Sequence, residues 1–260
     1  NEACVSMNVR QKRSRCCRDP TRMGRYATKR QAPSCLWKGP DDPPAEESPV
    51  EAVRPRPTRD QEPTEAERAS RLLLPRVSRT FALGIKMLPP RLEAPVRIGY
   101  LLCRIADTVE DDLAITPERK AQLLDEFLAC FEDGRTADEF GLCIAELTAN
   151  DDYLELVATT GQVFLTYRRL DVRTRAILRR WITEMVGGMK RIVLEHPRGI
   201  RLQTLPDFRT YCYYVAGTVG HLLTELWHEH STMVGNSTYA RLLEDCEAFG
   251  EALQAVNILK

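Results

Sequence analysis

Residues 100–112 read Tyr100-Leu101-Leu102-Cys103-Arg104-Ile105-Ala106-Asp107-Thr108-Val109-Glu110-Asp111-Asp112. Positions three and four apart share a face of a helix. Tyr100, Arg104, Asp107 and Asp111 step by four, three and four, so they form one stripe, while Leu101, Leu102, Ile105 and Val109 leave the other faces apolar. A helix that is apolar around most of its circumference and polar along one stripe belongs inside a protein, with the stripe lining a cavity. Two carboxylates a turn apart suit Mg²⁺, which takes one or two carboxylates and fills its sphere with waters and substrate phosphates. An arginine on the same stripe adds a fork for phosphate oxygens. The competing reading is a solvated helix end, with Asp107 to Asp112 a charged surface run. It leaves the apolar neighbours of Asp107 unexplained, and acids at a helix C-terminus oppose the dipole.

The rest of the chain frames this helix. The 260 residues balance 37 basic against 37 acidic side chains, and 43% hydrophobic content gives material for a sizeable core. A 7% aromatic content and only 14 glycines argue against a β-sandwich and for helices. No run approaches the roughly 18 consecutive apolar residues that span a bilayer. Helical periodicity predicts segments over 64–74, 76–87, 90–110, 117–132, 137–147, 150–158, 160–168, 171–195, 204–231, 236–245 and 246–260. Breaks fall at Pro75, Pro89-Pro90, Thr116-Pro117, Asp133-Gly134, Asn150-Asp151, Pro197-Arg198-Gly199 and Gly235-Asn236. The expectation is an all-α single domain over 64–260.

Residues 1–63 have another character. Within 1–40, ten basic residues face only Glu2 and Asp19, and prolines dominate from Pro33 to Pro63. Such a segment has no hydrophobic period with which to offset its ordering entropy and is expected to be disordered. It reads first as a fragment boundary or an over-extended reading frame, ahead of a transit peptide or a nucleic-acid arm. Cys4, Cys16, Cys17 and Cys35 lie there without zinc spacing, whereas Cys103, Cys130, Cys143, Cys212 and Cys246 read as small buried hydrophobes. An odd total of nine fits a reducing compartment.

Two further segments carry chemistry. Residues 211–227 form an apolar helix with Gly217 and Gly220 inside it. Each interior glycine costs about 1 kcal/mol against alanine, so either a tight helix crossing or room for a long ligand is expected. Gly250, Gln254 and Asn257 again step by four and three. A further step of four falls beyond the chain end, so a second polar stripe is expected to be cut short.

Taken together, Ser78-Arg79-Thr80-Phe81, Tyr100 through Asp111, Tyr211-Cys-Tyr-Tyr-Val-Ala-Gly-Thr-Val-Gly220 and Gly250 through Lys260 resemble the squalene/phytoene synthase family, over about residues 64–260. The resemblance implies an all-α isoprenoid-synthase helical bundle around a central cavity. It implies that two prenyl diphosphates, here farnesyl diphosphate, are joined head to head through a cyclopropyl diphosphate to squalene, dehydrosqualene or phytoene. Asp107 and Asp111 would bind Mg²⁺, or Mn²⁺ in its place. Ser78, Arg79, Thr80, Arg104, Gln254 and Asn257 would meet diphosphate oxygens. Tyr211, with Arg104 and Tyr100, would act at the reacting carbons, Tyr211 accepting or relaying a proton. Phe81, Ile85, Val215, Val219, Gly220, Leu223, Cys246 and Gly250 would wall the prenyl tunnel. NADPH is implied if the product is squalene. So are a monomer, a cytoplasmic location with peripheral membrane contact, and no nucleic-acid partner. The family's second aspartate motif is due directly after Lys260, so the domain is expected to be C-terminally truncated and inactive as it stands. The alternatives are a head-to-tail prenyl synthase, a terpene cyclase, and a non-catalytic relative acting as an assembly factor. Loss of either aspartate would favour the last, and both are present.

Overall fold

A computed structural model describes residues 63–231 and 234–259, with side chains to Ala255. The expectations for the tail, including its four cysteines, lie outside the described residues. Among the described residues eleven α-helices follow one another, and there is no strand. Their order is α1 (Glu65–Val77), α2 (Arg79–Lys86), α3 (Pro90–Asp111), α4 (Pro117–Ala129), α5 (Gly134–Phe140), α6 (Asp151–Ala158), α7 (Thr160–Arg169), α8 (Val172–Glu195), α9 (Leu205–Cys212), α10 (Thr218–His230) and α11 (Asn236–Leu259). A 3₁₀ segment, Gly141–Glu146, follows α5, and a π-helical turn, Tyr213–Gly217, joins α9 to α10.

Caps set most of the boundaries. Thr64 and Glu67 form a capping box on α1, and Thr204 and Asp207 form another on α9. Thr116, Asn150 and Asp171 cap α4, α6 and α8 by accepting from backbone N–H groups of the first turn. Ser78 serves twice. Its N–H closes α1 onto the Leu74 carbonyl at 3.0 Å, and its hydroxyl accepts from the Phe81 N–H at 3.3 Å to open α2.

Four boundaries differ from the sequence pattern. The segment expected over 137–147 starts at Gly134, behind its Asp133 cap, and tightens to the 3₁₀ turn from Gly141. Pro75 does not break α1 but lies in its last turn, on the exposed side. Its missing N–H frees only the carbonyl of Arg71, an exposed residue, so the cost falls on a group water can reach. The segments 236–245 and 246–260 are one helix, because no glycine, proline or cap separates Asp245 from Cys246. The stretch 204–231 is helical but carries the π turn, in which Thr218 N–H reaches back five residues to the Tyr213 carbonyl.

Helix α3 runs through the centre and packs against α1, α2, α4, α6, α7, α8 and α10. Ile98, Leu101, Leu102, Ile105, Ala106 and Val109 are fully buried on it. Burying one such side chain contributes about 1.5–3 kcal/mol, so α3 is fixed in rotation by its apolar faces. An edge-to-face cluster of Phe127, Phe131, Phe140, Phe164 and Tyr167 ties α4, α5 and α7 together. The long helix α8 packs on α3, α4 and α10, and α10 on α11. Of the five described cysteines, all free, only Cys103 is not buried.

Candidate active site

With its apolar faces buried, α3 turns Tyr100, Arg104, Asp107 and Asp111 toward one side. Arg104 Nη2 donates to the Tyr100 hydroxyl at 3.2 Å, and Arg104 Nη1 stands 3.8 Å from Asp107 Oδ2. The guanidinium also faces the Tyr153 ring on α6, 5.5 Å from its centroid. Its Nε is buried without a hydrogen-bond partner. Burial pushes the Asp107 carboxyl up to about 6; Arg104 pulls it down and Asp111 pushes it up further. One guanidinium therefore undercompensates that carboxylate, and room for further positive charge remains.

The acidic run divides into three environments. Asp111 is exposed, while Glu110 and Asp112 are 6% and 5% exposed, so a solvated surface run does not describe them. Burial first, then the charges of Asp111 and Asp107 and a hydrogen bond with Asp111, hold the Glu110 carboxyl well above the carboxylate range; Lys120 opposes this. The Lys120 ammonium also bonds the Glu110 carbonyl, satisfying a C-terminal backbone group. Asp112 turns away from the stripe. It accepts from the N–H of Ala114 at 2.8 Å, from the Thr148 hydroxyl at 3.0 Å and from the Thr148 N–H. Burial alone would raise its carboxyl, but these bonds outweigh burial and hold it below the usual range. Asp112 is an anchor for the loop after α3.

From α9, Tyr211 enters the same electrostatic neighbourhood. Burial foremost, then the charges of Glu110, Asp111 and Asp107, push its ionisation far above the ordinary tyrosine range. The phenol therefore stays protonated and is a hydrogen-bond donor. Across the stripe, α2 lays Phe81 against Tyr100, with ring centroids 5.3 Å apart, and buries Ile85. Phe81 remains 56% exposed, and Arg79 and Thr80 stand exposed at the N-terminus of α2 beside the Ser78 cap.

The glycines of the third segment stand at a crossing. A Cβ on Gly220 would overlap the Cys246 carbonyl, and one on Gly250 would overlap the Ala216 carbonyl, so backbones of α10, α11 and the π turn touch directly. Of the two readings of Gly220, tight packing is the one this contact describes. Val215, Val219 and Leu223 are partly buried against the core. Gln254 is partly buried on α11; Asn257 is one turn further along that helix, its side chain outside the described set. Gly188 of α8 leaves the space taken by the Tyr214 ring.

Tyr153, Glu110 and Lys120 were not singled out by spacing. Tyr153 and Lys120 are contributed by other helices, and only long-range packing brings them to α3. A cavity of about 360 Å³ between α4, α5 and the 3₁₀ segment is lined by Arg119, Glu126, Phe140, Leu142, Cys143 and Glu146, and by none of the site residues. Among the described residues no group of three His, Cys, Asp or Glu side chains is arranged to hold a metal. A cation at Asp107 and Asp111 would therefore complete its sphere with water and substrate oxygens, as Mg²⁺ does.

Comparison with known proteins bears on these residues. The squalene synthase of Schizosaccharomyces pombe is 31% identical over 191 residues, covering 72% of this chain and 40% of its own. Squalene synthase BSS of Botryococcus braunii is 33% identical over 186 residues, covering 71% and 37%. The solved structure of TcSQS with the ligand BPH1237 superposes with a TM-score of 0.64 at 30% identity, over 75% of this chain and 53% of that one. The fold is thus the all-α isoprenoid-synthase fold. The chain spans about 40% of the length of the curated relatives it matches. Residues 74–260, which hold every stripe described above, match the squalene/phytoene synthase model, and the chain belongs to the squalene/phytoene synthase family.

Proposed function

We propose that the protein joins two prenyl diphosphates, farnesyl diphosphate first among them, head to head through a cyclopropyl diphosphate. The observation that carries this reading is the half-buried Arg104, bonded to Tyr100 and paired with Asp107 on the polar stripe of the central helix α3. The oxygen donors of Asp107 and Asp111 fit a hard cation, and the carboxyl of Asp107, held up by burial, is short of positive charge. When bound there, Mg²⁺ supplies charge that stabilises a departing diphosphate.

The chain's own groups do the rest. Arg104 presents an unpartnered Nε to a phosphate oxygen. Arg79 and Thr80, at the start of α2, add exposed donors and a helix N-terminus that favours anions. Gln254 and Asn257 would meet the second diphosphate. Phe81, Ile85, Val215, Val219 and Leu223 offer apolar surface that excludes water from an allylic cation. Tyr211, held neutral, donates a hydrogen bond or relays the proton lost on carbon–carbon bonding. Reduction to squalene requires NADPH, whereas phytoene or dehydrosqualene does not.

The test is incubation of the full-length protein with farnesyl or geranylgeranyl diphosphate and Mg²⁺, with and without NADPH, followed by identification of the hydrocarbon. Asp107→Asn should abolish turnover while the far-ultraviolet helical signal is kept. Turnover retained in that variant overturns the metal assignment, and a head-to-tail or cyclic product overturns the reaction.

A further inference from the structure

Helices α10 and α11 bring together a thiol, an imidazole and a carboxylate, and the resemblance gives Cys246 a place in the tunnel wall but no chemistry. Cys246 Sγ lies 3.3 Å from His221 Nδ1, and His221 Nε2 lies 3.3 Å from Glu247 Oε2. The imidazole is held flat on Trp181 of α8, with centroids 4.5 Å apart and planes 5° from parallel, and Tyr213 meets it edge-on at 6.4 Å. A carboxylate on Nε2 keeps the ring hydrogen there and leaves the Nδ1 lone pair facing the thiol. Nucleophile, base and orienting acid thus stand in one line, the arrangement by which a thiol is activated.

The two ring nitrogens point apart, so the three groups cannot converge on one metal ion, in agreement with the lack of a metal-holding cluster among the described residues. Cys130 and Cys246 each have a backbone carbonyl within S–H reach, Glu126 at 3.3 Å and Leu243 at 3.6 Å, but of the two only Cys246 also has an imidazole beside it. Cys246 is 8% exposed and His221 14%, so a reagent reaches Sγ by local opening of the α10–α11 pair. Other charged and titratable groups nearby are Arg180 over Trp181, Glu225 paired with Arg180 at 3.0 Å, Glu184 near Tyr213, and Tyr239 near Cys246.

We propose that Cys246 is a covalent modification site for small soft electrophiles, with His221 as its base and Glu247 as the group that fixes the imidazole tautomer. With iodoacetamide the Sγ–carbon bond forms as the carbon–iodine bond breaks. Iodide leaves, and the thiol proton passes to His221 Nδ1. Burial pushes the thiol up while a hydrogen bond with Thr224 lowers it, so spontaneous thiolate is scarce and reaction depends on the base. An adduct on Sγ has little space, because the Cys246 carbonyl already lies against Gly220. Modification therefore pushes apart the α10–α11 crossing that positions Gln254.

The experiment exposes the full chain to iodoacetamide from pH 5.5 to 8.5 and follows each cysteine by peptide mass spectrometry. Cys246 is expected to label faster than Cys130 and Cys212 across that range. His221→Gln should slow Cys246 by roughly 100-fold, the lower range of positioned-base assistance. Glu247→Gln, at a half-exposed side chain, should slow it by less and keep the melting temperature, so it decides the matter if His221→Gln fails to fold. Cys246 labelling no faster than Cys212, or a rate unchanged in Glu247→Gln, overturns the proposal. So does labelling of all the buried cysteines at one common rate, which reports opening of the whole fold.

Discussion

Replacing Asp107 by asparagine should cost activity and yet not cost stability. In the folded chain the carboxyl is held at about 6 against an ordinary 3.8, with burial the leading cause, Arg104 opposing it and Asp111 adding to it. At about 1.4 kcal/mol per pH unit, ionising this group in the fold is disfavoured by about 3 kcal/mol at most. The side chain keeps 30% of its exposure, and solvent screening reduces the figure to about 1–2 kcal/mol. Because the folded value lies above the unfolded one, the native chain suffers no penalty below pH 3.8 and the whole penalty above about 6. An asparagine has no charge to desolvate and its carbonyl still faces Arg104, itself bonded to Tyr100. Urea unfolding followed by circular dichroism, without added Mg²⁺, should find Asp107→Asn as stable as the native chain at pH 4, and more stable by about 1 kcal/mol at pH 7.5. A variant less stable at pH 7.5, or a difference identical at the two pH values, refutes the argument. The first result would mean that the ion pair with Arg104 outweighs burial, and the second that it balances burial.

Three other outcomes follow from the geometry. Gly220→Ala places a methyl against the Cys246 carbonyl and should destabilise the fold by about 1–3 kcal/mol in the same unfolding assay. Asp112→Ala strands the Thr148 and Ala114 N–H groups and should cost about 1–3 kcal/mol at neutral pH. Since the Asp112 carboxyl is held below 3.8, its contribution is present above that value, and the deficit of the variant should close as pH falls through the lower folded value. Tyr211→Phe should lower kcat roughly 100-fold with little change in KM if the phenol relays a proton. Equal effects on kcat and KM would make the ring a wall of the site and nothing more.

The stripe of α3 was legible because helical spacing is local: four residues on one face need only the 3.6-residue period and apolar neighbours. The Thr116 cap is legible for the same reason, since it acts within three residues of itself; the breaks at Asp133-Gly134 and Asn150-Asp151 are caps as well. What the period could not carry is how far along the stripe burial extends. Asp107 and Asp111 share a face, yet one carboxyl is desolvated and the other is exposed. Helix α6, one of those packed against α3, puts Tyr153 at the level of Arg104. Tyr153 is invisible to spacing because it is 49 positions from Arg104 in the chain.

The same limit explains Gly220 and Gly250. In the sequence they mark only a missing side chain, which a ligand channel and a helix crossing require equally. An added Cβ would clash with a carbonyl of the neighbouring segment, so a close crossing stands at both positions. A crossing this close has a functional consequence of its own. It fixes α11 against α10 through backbone contact, with no flexible side chain between to absorb a shift. The register of Gln254 is then tied to the same unit that carries Tyr211, through one continuous run of α9, the π turn and α10. Tyr211, proposed to act at the reacting carbons, and Gln254, proposed to meet the second diphosphate, are in this way held by one rigid unit, and a substitution at the glycines should disturb both together.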